Sequence, residues 1–275
     1  MKTDSVILGF LGSGTIEMYA RPDTIGHLLK WTFGDVTSSQ VGATSTYDHE
    51  FTMGTSIKSF TVHDVTEEDS DARLCIGTVI KSLTFEAPRG GVVTVRAEVQ
   101  YVDEIIETAQ SYSAVSTLRP FVFHDGSITW GGSELADVES FRITISNDIP
   151  DDTHEIGSAK LQSIELQGFS ITGEMDLKFK DWSIRKQFYG AQESGSEPDN
   201  PQTEDRTFAL SIVLSSELTG DDSYKYSLTF SFPKCTIKEN PMTRRTRERL
   251  TQRMVFEALK DSNNKVTLRN KTTSY

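Results

Sequence analysis

Five histidines, His27, His49, His63, His124 and His154, are the natural candidates in this chain for proton transfer or metal ligation. Their spacing supports neither role, because no two form the H-x-x-x-H or Cys/His patterns by which one element presents paired ligands. The run Gly9–Gly14 (GFLGSG) has the glycines of a phosphate-cradling loop, but it lacks the Gly-Lys-Ser/Thr ending and the strand–loop–helix setting. It reads as an N-terminal arm. Asp148, Asp151, Asp152, Asp221 and Asp222 lack the alternating spacing of a calcium loop and read as turn chemistry. There is no G-x-S-x-G elbow for a nucleophilic serine. Cys75 and Cys235 are too few for a disulfide framework and read as reduced packing residues. The sequence therefore predicts no catalytic, cofactor-binding or metal-ligating residue, no cofactor, and a protein that is not an enzyme.

Charge is the feature with chemical content. The chain carries a formal net charge of −12, which argues against general affinity for nucleic acid or anionic membrane. Against that background Arg244, Arg245, Arg247, Arg249 and Arg253 form a basic cluster. No aromatic residues interleave it for base stacking, so as a nucleic-acid patch it is weak. Acidic counterparts exist in Thr66–Asp71, with Glu67, Glu68 and Asp69, and in Gln192–Asp205. A basic band on one subunit meeting an acidic loop on its neighbour would fix register between copies. Arg244, Arg245, Arg247, Arg249, Glu67, Glu68 and Asp69 are accordingly the candidate inter-subunit contacts.

The elements that must position these residues are mostly strands. Val93, Val95, Ala97 and Val99 alternate with Thr94, Arg96, Glu98 and Gln100, and Ile171–Phe179, Leu210–Leu214 and Leu228–Phe232 alternate likewise. That period places one face on a core, as antiparallel sheets do. Pro22–Phe33 predicts a helix with Ile25, Leu28, Leu29 and Phe33 on one stripe and Gly34 as its stop, and Asp181–Tyr189 a shorter one. Arg247–Lys260 fits a helix or a strand, and the hairpin reading pairs it with Val266–Arg269 through Asp261–Asn264. Val36–Asp48, Thr66–Asp71 and Gln192–Asp205 read as mobile polar loops. Trp31, Trp130 and Trp182 fall within apolar patterns and read as core. No stretch approaches the roughly 18 apolar residues of a membrane span.

A repeat runs through these strands. Ile57–Val62 (IKSFTV) returns as Val138–Ile143 (VESFRI), and Ile80–Phe85 (IKSLTF) as Leu161–Leu166 (LQSIEL), both at an offset of 81. Repeated pattern at one offset points to a β unit used twice. It divides the chain into residues 1–118, with the helix near 22–33, and residues 119–275, with the helix near 181–189 and the loop near 192–205.

Three segments in their order resemble the tail tube, or major tail, proteins of long-tailed bacteriophages. They are Gly12–Asp35 with Tyr47–Met53, Arg119–Gly132 through Val138–Ile149, and Ile171–Gly190; Val266–Thr272 is similar to the closing strand of that family. The resemblance implies an antiparallel β-sandwich or barrel-like subunit with short flanking helices and no active site. It implies a virion protein, made in the host cytoplasm, that assembles with itself into rings of three or six stacked as a hollow tube. DNA and a tape-measure protein would occupy the lumen, and terminator and distal tail proteins the ends. Two alternatives stand beside it: a monomeric β-sandwich binding carbohydrate or a receptor, and a secretion-system tube protein of the same fold.

Overall fold

The computed structural model describes residues 11–65, 70–111, 116–150, 166–189, 206–219, 224–243 and 250–275. The chain is mainly β, and every strand pairing among the described residues is antiparallel. One sheet runs β1 (Gly12–Tyr19), β6 (Thr94–Tyr101), β5 (Asp71–Ala87), β10 (Val138–Asp148), β11 (Gly168–Lys178), β15 (Thr251–Ala258) and the end of β13 (Lys225–Glu239). The facing sheet runs β2 (Gly34–Gln40), β3 (Tyr47–Met53), β16 (Lys265–Asn270), the start of β13, β12 (Phe208–Leu218), β8 (Gly126–Trp130) and the short β9 (Ser133–Glu134). β14 (Met242–Thr243) pairs with β15.

β13 belongs to both sheets, and Pro233 marks the change. Residues 227–231 pair with β16, whereas 235–239 pair with β15. Proline has no N–H to give a ladder, so the break falls where one partner strand ends and the next begins. β15 and β16 consequently lie one after the other along the same side of β13. The expected hairpin between them does not form, because the intervening turn carries the chain from one sheet to the other.

The alternating apolar residues meet between the sheets. Leu83 and Phe85 of β5, Ile143 and Ile145 of β10 and Phe256 of β15 face Phe51, Ile212, Phe230 and Val266, all of them fully buried. Phe85 and Phe230 pack edge to face across the gap, with ring centroids 5.0 Å apart. In each sheet the strands from before residue 118 form one block and those from after it another, and the blocks join where β5 pairs with β10 and β3 with β16. The echoed segments Ile80–Phe85 and Val138–Ile143 fall on β5 and β10, which are direct neighbours. Leu161–Leu166 lies, but for its last residue, outside the described residues.

Helix α1 (Ile25–Phe33) closes the gap beside β5 and buries the expected stripe of Ile25, Leu28, Leu29 and Phe33. Gly34 ends it at φ 88°, where an added Cβ would meet the Ser56 carbonyl oxygen at 2.3 Å. Asn147 donates from one amide to the carbonyls of Thr32 (3.2 Å) and Ile80 (2.9 Å), tying the helix to β5. Tyr275 packs against the same helix, its ring 5.1 Å from His27 and 4.7 Å from His49. Gly26 makes room for it, since a Cβ there would fall 2.0 Å from the ring.

Three further expectations are corrected. Val36–Asp48 is a β2–β3 hairpin rather than a mobile loop, its turn tightened by Gly42 at φ 60° and by Thr44 Oγ1 donating to the Val41 carbonyl at 2.7 Å. Gly12–Gly14 belongs to β1 rather than to a free arm. Trp130 is buried and Trp31 stacks on Phe60 at 3.9 Å, but Trp182 is 56% exposed. It precedes α2 (Ser183–Tyr189), whose buried residue is Ile184.

Candidate functional site

The β1–β6–β5–β10–β11–β15 sheet turns its second face away from the core, and cross-strand register assembles that face row by row. One row reads Thr15, Glu98, Ser82, Ser146 and Ser170, and the next Glu17, Arg96, Thr84, Thr144, Thr172 and Glu257. A third places Glu86, Arg142 and Glu174 side by side. Strand alternation dictates this, because the residues between them are the buried Leu83, Phe85, Val95, Ala97, Ile143 and Ile145.

Hydroxyls and held charges cover the surface. Arg142 reaches Glu86 on one side and Glu174 on the other, each at 3.2 Å. Arg253, the one member of the expected arginine cluster within the described residues, also pairs with Glu174. Arg96 lies 3.6 Å from Glu98, and Lys238 2.7 Å from Glu257. Thr84 and Thr144 hydrogen-bond at 3.1 Å, Ser82 donates to Glu98 at 3.1 Å, and Ser140 to Asp176 at 2.9 Å. With Lys81, Asp148 and Lys178 included, seven acids (Glu17, Glu86, Glu98, Asp148, Glu174, Asp176 and Glu257) stand against six cations (Lys81, Arg96, Arg142, Lys178, Lys238 and Arg253), a slight acidic excess. Exposed pairs of this kind contribute only about 0–1 kcal/mol each. Fold stability therefore does not account for such an arrangement.

The outer face of the other sheet is plainer. Ser227, Thr229 and Ser231 lie beside Thr267, and at its β3 side Lys265 meets Glu50 and Arg269 meets Asp48, each at 2.6 Å. Among the described residues no group of three or more His, Cys, Asp or Glu side chains is placed to hold a metal ion. No helix among them is long and apolar enough to cross a membrane. Cys75 and Cys235 are buried and form no disulfide, and burial pushes the pKa of the Cys235 thiol up to about 12.

A family model for phage tail tube proteins matches residues 1–249. The chain belongs to this family. No curated protein sequence matches it. As a phage tail tube protein it is a structural subunit of the virion tail that assembles with itself into a tube and meets other tail components.

The candidate contacts Arg244, Arg245, Arg247, Arg249, Glu67, Glu68 and Asp69 lie outside the described residues. What the structure adds is where their flanking residues sit. Thr243 pairs with Thr251, and Val65 with Ala72, so the two segments connect to well-placed strands far apart in the fold. The polar face itself was missed in the sequence. Its signal was present in each strand as serine, threonine and charge at alternate positions, but only the strand order joins those stripes into one surface.

Proposed function

We propose that the charged face of the β1–β15 sheet lines the bore of the tail tube and that DNA passes along it. The observation that carries this reading is that the arginines of the face, Arg96, Arg142 and Arg253, are already held by carboxylates, Arg142 by two of them. A passing phosphate meets excess negative charge and hydroxyls, so it is weakly repelled and finds no guanidinium to grip. Rings of three or six copies, closed through the edges of β1 and β2, each of which has one partner strand among the described residues, would remove the edge-pairing hazard of these strands. A tape-measure protein would share the bore, terminator and distal tail proteins would cap the ends, and the subunit itself would catalyse no reaction.

The test is accessibility in assembled tubes. Thr144→Cys places a thiol on the charged face and Thr229→Cys one on the opposite outer face, each to be probed with a maleimide carried on a protein-sized dextran. We expect both to react in free subunits and only the Thr229 position to react in tubes. The reverse pattern would move the bore to the other sheet. Class averages of the same tubes by electron microscopy read the ring symmetry.

A further inference from the structure

β5 is 17 residues long, and only its second half belongs to the sandwich. Its first half, Asp71–Ile76, pairs with β4 (Phe60–Val65) and β7 (Asp103–Thr108) to form a three-stranded arm. Gly77, at φ 64°, marks the exit from the sandwich. The arm exposes two large apolar side chains, Ile105 (42%) and Ile106 (65%), on opposite faces of its edge strand. It is also acidic: Asp64, Asp71, Asp103, Glu104 and Glu107 stand against Arg73 alone.

Register locates the opposite end of the molecule. Ala87 of β5 pairs with Phe141, Val138 with Leu177, and Lys178 with Thr251. Lys178 and the α2 segment that follows it therefore lie beyond the far end of β5, roughly 50 Å from the start of the arm at about 3.3 Å per residue. The run 178–189 has the other sign, with Lys178, Lys180, Arg185 and Lys186 against Asp181, although Lys180 also lies 3.8 Å from Asp137, an exposed pair that a neighbour can replace. It also carries the exposed Trp182, whose ring meets Phe179 at 5.1 Å. Arg185 is turned inward over the Phe188 and Tyr189 rings, leaving the lysines to set the charge of the outer surface.

We infer that the arm of one subunit docks on the α2 end of the next copy, Ile105 and Ile106 packing beside Trp182 while the arm carboxylates meet Lys180 and Lys186. The inference rests on the tail tube reading and names the contact that would join one ring to the next. Three features point to a second copy. The two surfaces are opposite in charge, each carries exposed apolar groups, and they sit at opposite ends of one strand. A contact between unlike ends cannot close on itself as a two-fold dimer, and with the two surfaces at opposite ends of one strand it repeats as an open stack rather than a ring. Arm-to-arm pairing is disfavoured by like charge, which fixes the polarity of stacking. In the sequence, Glu67, Glu68 and Asp69 follow β4, and Arg244, Arg245, Arg247 and Arg249 precede β15.

A charge exchange in the full chain tests this. One variant reverses the arm (Asp64→Lys with Glu107→Lys) and a second reverses the far end (Lys180→Glu with Lys186→Glu). Each alone should raise the concentration needed for tube assembly at least tenfold, with far-ultraviolet circular dichroism unchanged. Mixed in equal amounts, the two should regain assembly, because each reversed surface then meets its complement on the other variant. Assembly of either variant alone at the wild-type concentration, or no recovery on mixing, overturns the inference. A second readout separates it from the tail tube reading. Differently tagged Ile106→Cys and Trp182→Cys subunits, mixed with a bifunctional maleimide, should cross-link to each other. Tubes without that cross-link sink the docking site and leave the tube standing; the cross-link without tubes does the opposite.

Discussion

The sandwich and the arm are made from the same alternating strands, and one of them, β5, runs through both, yet they bury very different amounts of apolar surface. In the sandwich Ile80, Leu83 and Phe85 of β5 are fully covered by a facing sheet and by α1. In the arm the small Ala72 and Cys75 are buried and Trp31 covers Phe60 at the near end, but Leu74 is only half-buried, and Ile105 and Ile106 are exposed. Three strands with so small a packed face are marginal alone, so the arm takes its order from continuity with β5. The contrast assigns two tasks to one chain: the sandwich holds the fold, and the arm keeps apolar surface available for a neighbour.

The strongest way to break this contrast is to remove core from the sandwich. Phe230 is fully buried between Phe85 and Phe232. Phe230→Ala should cost about 3–5 kcal/mol of folding stability, the transfer of a large ring plus the void it leaves. Chemical denaturation of the unassembled subunit measures it. A loss below about 1 kcal/mol would show that the gap between the sheets is not the core it is taken to be.

The legible and illegible parts of this fold divide along physical lines. Alternation and capping are local, so β6, β11, β12 and α1 with its Gly34 stop could be read directly from residues such as Val95, Ala97 and Phe33. Strand partners are not local. Nothing in Arg142 or Glu174 alone says that β10 and β11 lie side by side, and so the charged face was invisible. The β15–β16 hairpin was misread because a turn at Asp261–Asn264 looks the same whether it joins two partners or two sheets. Trp182 was placed in the core from its apolar neighbours, although the helix it precedes is too short to have a second covered face. The family was legible because its order of strands, turns and helices survives without any catalytic motif.

A smaller perturbation tests how tightly the sandwich is packed. Gly173, in the middle of β11, lies under the Phe256 ring, and a Cβ there would sit 2.3 Å from Cζ and 2.9 Å from the Arg142 carbonyl oxygen. Gly173→Ala should therefore cost about 1–3 kcal/mol through overpacking. Gly90→Ala, with open space around it, adds no clash of this kind, and the strain of its φ of 66° is its cost. If a thermal melt shows Gly173→Ala to be neutral, the sheet has more freedom at that crossing than the contacts allow.

Acid should loosen the sandwich at a defined place. His49 is fully buried, with Nε2 donating to Asn270 Oδ1 at 3.0 Å and Nδ1 facing Ser38 Oγ at 2.7 Å. Burial holds its pKa below the usual 6.5, and His27 across the Tyr275 ring is lowered by burial and by Lys30. A base with a depressed folded pKa binds protons more readily when unfolded, so its stabilisation is complete above about pH 6.5 and is lost as pH falls below that value. Melting temperature should fall between pH 7.5 and 5.5, and His49→Gln should flatten that slope. An unchanged slope in the variant would assign the acid sensitivity to other groups.

The smallest expected effect is the most informative about the arm. Ile106 is 65% exposed on an edge strand, so the folded monomer gains almost nothing from its side chain. Ile106→Ser should shift the stability of the isolated subunit by less than about 0.5 kcal/mol, the range of surface substitutions that break no buried contact. If the same variant leaves the melt unchanged but raises the concentration needed for tubes, then the side chain is placed for the neighbour and not for the fold. A drop in monomer stability comparable to that of Phe230→Ala would erase the distinction between sandwich and arm, because it would mean that Ile106 is covered by its own chain in solution. The two measurements on one variant thus separate a surface made for assembly from a strand that merely lacks a cover.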